Sequence, residues 1–582
     1  MHKHALLLIL ILVAYAAGIV VFSQCRSLDR DEGYYAAAAR LVAEGKMVYR
    51  DFFYPQAPAL PYLYAPVDHV WGSLGSLRLM SAGASVLMLL LWGVYLADRH
   101  GRTPKALFGA MLLVALDPHL AYWNVTVKTF GVGNLLLTAT LVSLYFALER
   151  RRIWGYALSG LASGLLISVR LLYAPIAPLI FGWLLWRSMR QRDPARLPAD
   201  TAPIRFAAAG TPTVRLAAAG APSVGLAAAG TPSVRLAAAG TAALDNGGLT
   251  CRRPHNDAAG CRFAPAAAYL AGLAVAGIPF LVIFLSNPQA TIFNNLGYHA
   301  LRATPPGWLE RAAYVLKFLA VDVCDPYLVL GLVLAVFGCC SKAAGEHRGF
   351  VRFTVLLAAV FALGAATPYP LNAHYFTGTL APFLLPAAAL GIATIGRRGL
   401  AVIGGLLVVS SLVMVSTSPF LAKARLRLLD MASVYASNEQ AAGGRRAAAS
   451  ARSEKSMASF DAISRYVASA TEPNDVVLSF WPGYVYQSRR QFFPGLENDF
   501  GLAVSSRLSA AERNAYRIAG RQEVLAALKR RLPKAVVIGG YWMADLYPES
   551  DGATPAELSA ALDANYSLGR QIDGIRVYLR RE

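Results

Sequence analysis

Asp29, Asp31, Glu32 and Asp51 lie among aromatics and prolines in one stretch of this chain, DRDEGYYAAAARLVAEGKMVYRDFFYPQAPALPYLY, from Asp29 to Tyr64. A carboxylate in such a setting can take the proton of a hydroxyl that attacks a neighbouring electrophile. The stretch follows an apolar run, Ala5 to Phe22, so this chemistry belongs to a membrane surface, where a lipid-tethered substrate can lie alongside. The spacing from Glu32 to Glu44 predicts an interfacial amphipathic helix. Adjacent helical residues point apart, so only one of Asp31 and Glu32 faces a given pocket. The competing reading is that both acids cap the helix, since carboxylates favour helix N-termini.

The elements that position these acids are apolar. Of 582 residues 56% are hydrophobic and 15% charged, a composition that excludes a water-soluble protein and fits a polytopic membrane protein. Apolar runs recur at Ala5–Phe22, Leu77–Ala97, Ala106–Leu120, Gly131–Leu148, Ile153–Val169, Leu171–Trp186, Phe263–Leu285, Phe318–Cys340, Val351–Thr367, Thr377–Ile395 and Leu400–Val415. They predict an all-α polytopic bundle of about eleven transmembrane helices. The first is read as a retained span, although Ala14-Tyr15-Ala16 resembles a signal-peptide cleavage site.

The net charge of +21 does not imply nucleic acid, because Lys and Arg gather at alternate span ends as orientation signals do. That bias puts the loops at Asp29–Arg78, Asp117–Phe130, Asn287–Lys317 and Pro368–Phe376 outside the cytoplasm, together with everything after Val415. The expected location is a bacterial-type plasma (inner) membrane with the acidic loop extracytoplasmic.

The expected domains are a transmembrane part, 1–420, with its first extracytoplasmic loop at 23–76 and a cytoplasmic low-complexity insertion at 187–262, and an extracytoplasmic α/β domain at 421–582. Within the insertion a decapeptide such as RLAAAGAPSV recurs from Phe206 to Thr241, with proline and glycine that prevent a solenoid. The six cysteines form no CxxC pair, and Cys251, His255 and Cys261 are an incomplete metal set. Helices are expected over Ala462–Ala470, Ala511–Leu532 and Pro555–Asn565, and strands over Asp475–Phe480, Lys534–Gly539 and Ile575–Leu579. Trp481-Pro482-Gly483-Tyr484 falls on a loop at a strand end.

The pattern DEGYYAxxAxxLxxGxxxYxDFFYPQAPxLPYLY resembles the first extracytoplasmic loop of GT-C glycosyltransferases that use polyprenyl-phosphate sugars, a superfamily including protein O-mannosyltransferases and aminoarabinose transferases. The resemblance covers about the first 420 residues and implies a GT-C-like bundle. It makes Asp31 the general base with Glu32 as its catalytic neighbour, and Asp51, Tyr54 and Gln56 loop residues that line the substrate. Tyr298-His299-Ala300-Leu301-Arg302 looks like the H-x-x-R element of that family, which implies donor-phosphate binding by Arg302 with His299 beside it. A guanidinium suits the task because it stays charged and can take two phosphate oxygens at once. Arg170, at a span end before a proline-containing helix, is a further phosphate candidate. His374 and Tyr375 resemble an aromatic element at the start of a late span, placed to hydrogen-bond or stack on the donor.

Two features depart from the family. Pro55-Gln56-Ala57-Pro58 stands where aminoarabinose transferases carry a phosphate-binding lysine, and VTVKTFGVGN offers Lys128 where many relatives carry an acid. The implied activity is glycosyl transfer from a polyprenyl-phosphate sugar to a glycan, lipid or protein acceptor, with membrane lipids as neighbours and no nucleic acid. No cofactor is implied as certain, and a divalent metal is left open. The alternative reading is a transporter or flippase of a lipid-linked glycan, which calls for paired repeats and charges at bilayer mid-depth.

Overall fold

The computed structural model describes residues 2–101, 103–190, 262–302, 307–318, 325–341, 347–367, 371–417, 457–539 and 554–582. The decapeptide repeat, Cys251, His255 and Cys261 lie outside the described residues. Two compact units result, one comprising Met1–Trp183 with Pro265–Glu582 and the other Leu184–Ala264.

Each apolar run anticipated above contains helix among the described residues, although Ala106–Leu120, Leu171–Trp186 and Thr377–Ile395 are each divided between two helical segments. Among the described residues six helices are long and apolar enough to cross a membrane, seven if the pair Pro104–Ala115 and Pro118–Asn124, bent by 59°, is one span. Ile153–Val169, Pro326–Cys340, Leu380–Thr394 and Arg398–Met414 are apolar but shorter, so length does not by itself fix the expected eleven. The chain is a multi-pass membrane protein of predominantly helical fold.

Eight helices lead to the site: α1 (His2–Cys25), α2 (Arg30–Ala43), α3 (Ala59–Trp71), α4 (Leu74–His100), α5 (Pro104–Ala115), α6 (Pro118–Asn124), α7 (Thr129–Arg150) and α8 (Ile153–Val169). Helix α2 starts where it does because Asp29 and Glu32 form a reciprocal capping box, each side chain accepting a backbone N–H at the other's position. Its run Ala36–Ala39 is fully buried, and these small side chains let α2 lie close against α3. The α5–α6 break follows from sequence. Asp117 caps α6, accepting the Leu120 N–H at 2.9 Å, and Pro118 at the first helical position cannot continue α5. The displaced α6 then delivers the turn Val125–Lys128 beneath α2.

The C-terminal part carries a five-stranded sheet in the order β2-β1-β3-β5-β4, formed by β1 (Val476–Ser479), β2 (Gln491–Phe492), β3 (Ala535–Ile538), β4 (Tyr566–Ile572) and β5 (Ile575–Arg580). β1 pairs in parallel with β2 and β3, while β5 runs antiparallel to β3 and β4. The helix expected over Ala511–Leu532 is two, Ala510–Ala515 and Arg521–Lys529. They separate at Arg517, which has φ +58°, and the second starts where the Gly520 N–H donates to Glu523 at 3.0 Å.

This domain packs directly on α2 and α3. Trp481 is buried, its indole N–H donates to the Arg30 carbonyl at 2.8 Å, and its ring lies where a Gly33 side chain would be. Asp68 on α3 accepts from the Tyr486 hydroxyl at 2.5 Å and from Arg489 at 3.0 Å. Gly72 ends α3 with φ +55°, in the space the Arg489 guanidinium needs. Phe293 and Tyr516 stack with centroids 3.8 Å apart.

Candidate active site

The two adjacent acids of α2 diverge, as helical geometry requires. Glu32 is fully buried. Its Oε1 accepts from Arg78 Nε at 2.8 Å and from the Val127 N–H at 3.2 Å, and its Oε2 from Arg78 at 2.6 Å and from the Asp29 N–H at 2.9 Å. Arg26, also buried, adds a contact at 3.5 Å. Burial raises the Glu32 carboxyl, Arg78 and Arg26 lower it, and the outcome lies below the usual range. Both Glu32 oxygens are engaged in these bonds, which tie α1, α2, α4 and the Val125–Lys128 turn together.

Asp31 points the other way, with 28% of its side chain exposed. Its Oδ2 lies 2.8 Å from Lys128 Nζ, and the same ammonium lies 2.7 Å from Asp29 Oδ1. Burial opposes the Lys128 charge, but Asp29 and Asp31 more than offset it and hold the amine above its ordinary range. Asp29 is correspondingly held below its ordinary range, Lys128 and Arg26 outweighing burial.

Beyond Lys128 lies a cationic and aromatic wall. Arg170, at the end of α8, donates to Thr129 Oγ1 at 3.2 Å and covers the rings of Tyr375 at 4.1 Å and Phe130 at 5.0 Å. His374 packs on Trp123 at 4.6 Å and Phe130 at 5.3 Å. Burial, then Lys128 and Arg170, push His374 well below its ordinary range, which disfavours its charged form. Tyr35 of α2 lies within electrostatic reach of Asp31, Arg170 and Lys128 at once. Asp31, Arg170, His374 and Tyr375 are thus brought together around Lys128, which sequence reasoning had recorded only as a departure.

Arg302 is exposed. Its guanidinium sits 5.6 Å from the Phe500 ring, which also receives Arg30 at 4.8 Å and packs on Tyr34 at 4.9 Å. Asp499 pairs with Arg30 at 2.9 Å. The remaining expected residues shape the loop. His299 Nε2 hydrogen-bonds the Pro55 carbonyl at 3.2 Å, and burial lowers its pKa. Gln56 accepts the Tyr49 hydroxyl through its backbone carbonyl at 2.5 Å. Asp51 pairs with Arg50 at 2.8 Å and accepts the Met47 N–H at 2.7 Å, closing a turn away from Asp31. Tyr54 is buried, its N–H donating to Asn294 at 2.8 Å and its ring edge-on to Tyr35 at 6.2 Å. Its hydroxyl has no hydrogen-bond partner among the described residues. No group of three His, Cys, Asp or Glu side chains gathers among the described residues as metal ligands do.

Arg26, Arg78, Lys128 and Asp499 were missed. The available signal was charge placement, since Arg26, Arg78 and Lys128 all sit at span ends opposite to the basic loops. No family model matches the chain, and no curated protein matches it in sequence. Solved structures share its fold. The aminoarabinose transferase ArnT from Cupriavidus metallidurans in the apo state superposes with a TM-score of 0.56 at 13% identity, over 98% of this chain and 97% of that one. ArnT from the same organism bound to undecaprenyl phosphate gives 0.53 at 13%, over 98% and 97%. An oligosaccharyltransferase from Archaeoglobus fulgidus in the apo form gives 0.41 at 13%, over 90% of this chain and 69% of that one. The two ArnT structures show that this chain shares their fold over nearly its whole length.

Proposed function

We propose, from the GT-C fold and the charges it gathers, that this chain is a glycosyltransferase that takes a sugar from a polyprenyl-phosphate donor and passes it to an extracytoplasmic hydroxyl acceptor. The observation that carries this reading is Asp31: a partly exposed carboxylate ion-paired at 2.8 Å with a buried lysine, sharing the surroundings of Tyr35 with Arg170, and next in sequence to Arg30, whose guanidinium lies at the same Phe500 ring as that of Arg302. That one structural neighbour binds undecaprenyl phosphate supports the donor class.

Asp31 accepts the acceptor's hydroxyl proton as that oxygen bonds to the anomeric carbon. The bond from this carbon to the phosphate oxygen breaks, and polyprenyl phosphate leaves with the electron pair. Lys128 fixes the carboxylate at the end of α2, so that Asp31 does not have to be ordered when substrate arrives. Arg302 takes the donor phosphate, and Arg170, held flat on Tyr375, adds positive charge where the leaving group gains negative charge. The Lys and Arg bias at the opposite span ends supports a site outside the cytoplasm.

The test is incubation of the purified full chain with radiolabelled polyprenyl-phosphate sugars and an envelope extract. Label should move to an acceptor with the wild-type chain and not with Asp31→Asn. Undiminished transfer by that variant removes the assigned base.

A further inference from the structure

The C-terminal domain reaches into the site through one turn. Asn498 accepts the Phe500 N–H at 3.1 Å, which fixes the 3-10 turn Asp499–Gly501 and aims two successive side chains at α2. Asp499 has only 1% of its side chain exposed and meets Arg30, the residue immediately before Asp31, at 2.9 Å. Burial pushes the Asp499 carboxyl up to about 6 even though Arg30 pulls it down, and Asp31 is close enough to raise it further. Phe500 follows, with Tyr34 packed on it at 4.9 Å and the guanidinium groups of Arg30 and Arg302 at 4.8 and 5.6 Å from its ring. Arg507 of the same domain donates to the Leu301 carbonyl, bracing the short helix that carries Arg302.

Two like charges sharing one phenyl ring repel each other. The Phe500 ring, near both, and Asp499, paired with Arg30, offset that repulsion. No ion pair joins Arg302 to a carboxylate among the described residues. An anionic oxygen would suit the two guanidinium groups at this ring, and a phosphate can offer oxygens to both.

We infer that Phe500 and Asp499 are positioning residues that hold Arg30 and Arg302 as one bracket for the donor phosphate, making the C-terminal domain part of the transfer site. The inference rests on the polyprenyl-phosphate reading above and adds Arg30, which the sequence did not single out. Phe500 acts through its π face, not through volume. Tyrosine therefore replaces it and leucine does not.

The experiment titrates the purified full chain in detergent with decaprenyl phosphate, alongside thermal unfolding of each variant. Phe500→Leu is expected to weaken binding about tenfold, Phe500→Tyr to bind within about twofold of wild type, and Phe500→Leu to add less than about twofold in an Arg302→Ala background. Unchanged affinity in Phe500→Leu, equal losses in the leucine and tyrosine variants, or a full tenfold loss on top of Arg302→Ala would overturn the inference while leaving the donor class intact. Failure of the wild-type chain to bind decaprenyl phosphate would instead remove the donor reading, and this inference with it.

Discussion

Replacing each of the neighbouring acids of α2 by its amide separates the chemistry from the scaffold. Glu32 and Arg78 are both fully buried, joined by two bonds at 2.6 and 2.8 Å, and Glu32 accepts the Val127 and Asp29 N–H groups as well. In Glu32→Gln one oxygen becomes an NH2 group. It faces either the Arg78 guanidinium and the Asp29 N–H or the Arg78 guanidinium and the Val127 N–H, donors in both cases. The buried charges of Arg78 and Arg26 then lose the counter-ion they share. Removing one partner of a buried pair costs about 3–5 kcal/mol, so Glu32→Gln is expected to lose about that much stability. Asp31 is partly exposed and Lys128 keeps Asp29 as a partner, so Asp31→Asn is expected to cost about 1 kcal/mol or less. Thermal unfolding in detergent, with transfer measured on the folded fraction, should show Asp31→Asn stable and inactive and Glu32→Gln unstable with substantial residual transfer. The reverse pairing would refute the division of labour between the two carboxylates.

Lys128→Met should lower transfer on the order of 100-fold, because the base loses the group that fixes it, while an exposed-lysine control such as Lys529→Met leaves transfer unchanged. Burial raises Glu497 from its ordinary value of 4.5 to about 7, so its contribution to stability is full below about 4.5 and is lost as pH rises through about 7. Glu497→Gln, which can still accept the Gly495 N–H now at 2.7 Å, should therefore raise stability by about 1–2 kcal/mol at pH 8 and by little at pH 4, read as unfolding temperature against pH. A side chain at Gly33 would meet the Trp481 indole at 2.5 Å, so Gly33→Ala should displace Trp481, cost about 1–3 kcal/mol and speed limited proteolysis of the C-terminal domain.

The helical bundle was legible because apolar runs need no partner to be recognised; of the α2 capping box, Glu32 was among the acids that could cap the helix, whereas the N-cap Asp29 was not. Lys128 was not legible. Its meaning depends on the α5–α6 bend that carries the Val125–Lys128 turn under α2, and a single lysine between two apolar runs has no periodicity or spacing to mark it. The same holds for Asp499, which meets Arg30 across 469 residues of sequence. Strand β4 went unread for a different reason: Ser567 to Gln571 are exposed on a sheet edge, so the strand shows no alternation of apolar and polar residues. The helix over Ala511–Leu532 was read as continuous because its break lies in backbone conformation at Arg517, a residue type that does not advertise a left-handed φ. Asp51, Gln56 and His299, which the family resemblance puts at the substrate, also hold the loop itself: Asp51 accepts the Met47 N–H, the Gln56 carbonyl accepts the Tyr49 hydroxyl and His299 bonds the Pro55 carbonyl.

The central claim is that Asp31 takes a proton while polyprenyl phosphate departs. Single-turnover reaction of the purified chain with a radiolabelled polyprenyl-phosphate sugar and its acceptor measures this most directly, with release of polyprenyl phosphate followed in parallel. Matched transfer and release by the wild-type chain, both abolished in Asp31→Asn although that variant still binds donor, is the predicted result. Transfer by Asp31→Asn at the wild-type rate, or release that depends on Glu32 and not on Asp31, would contradict it.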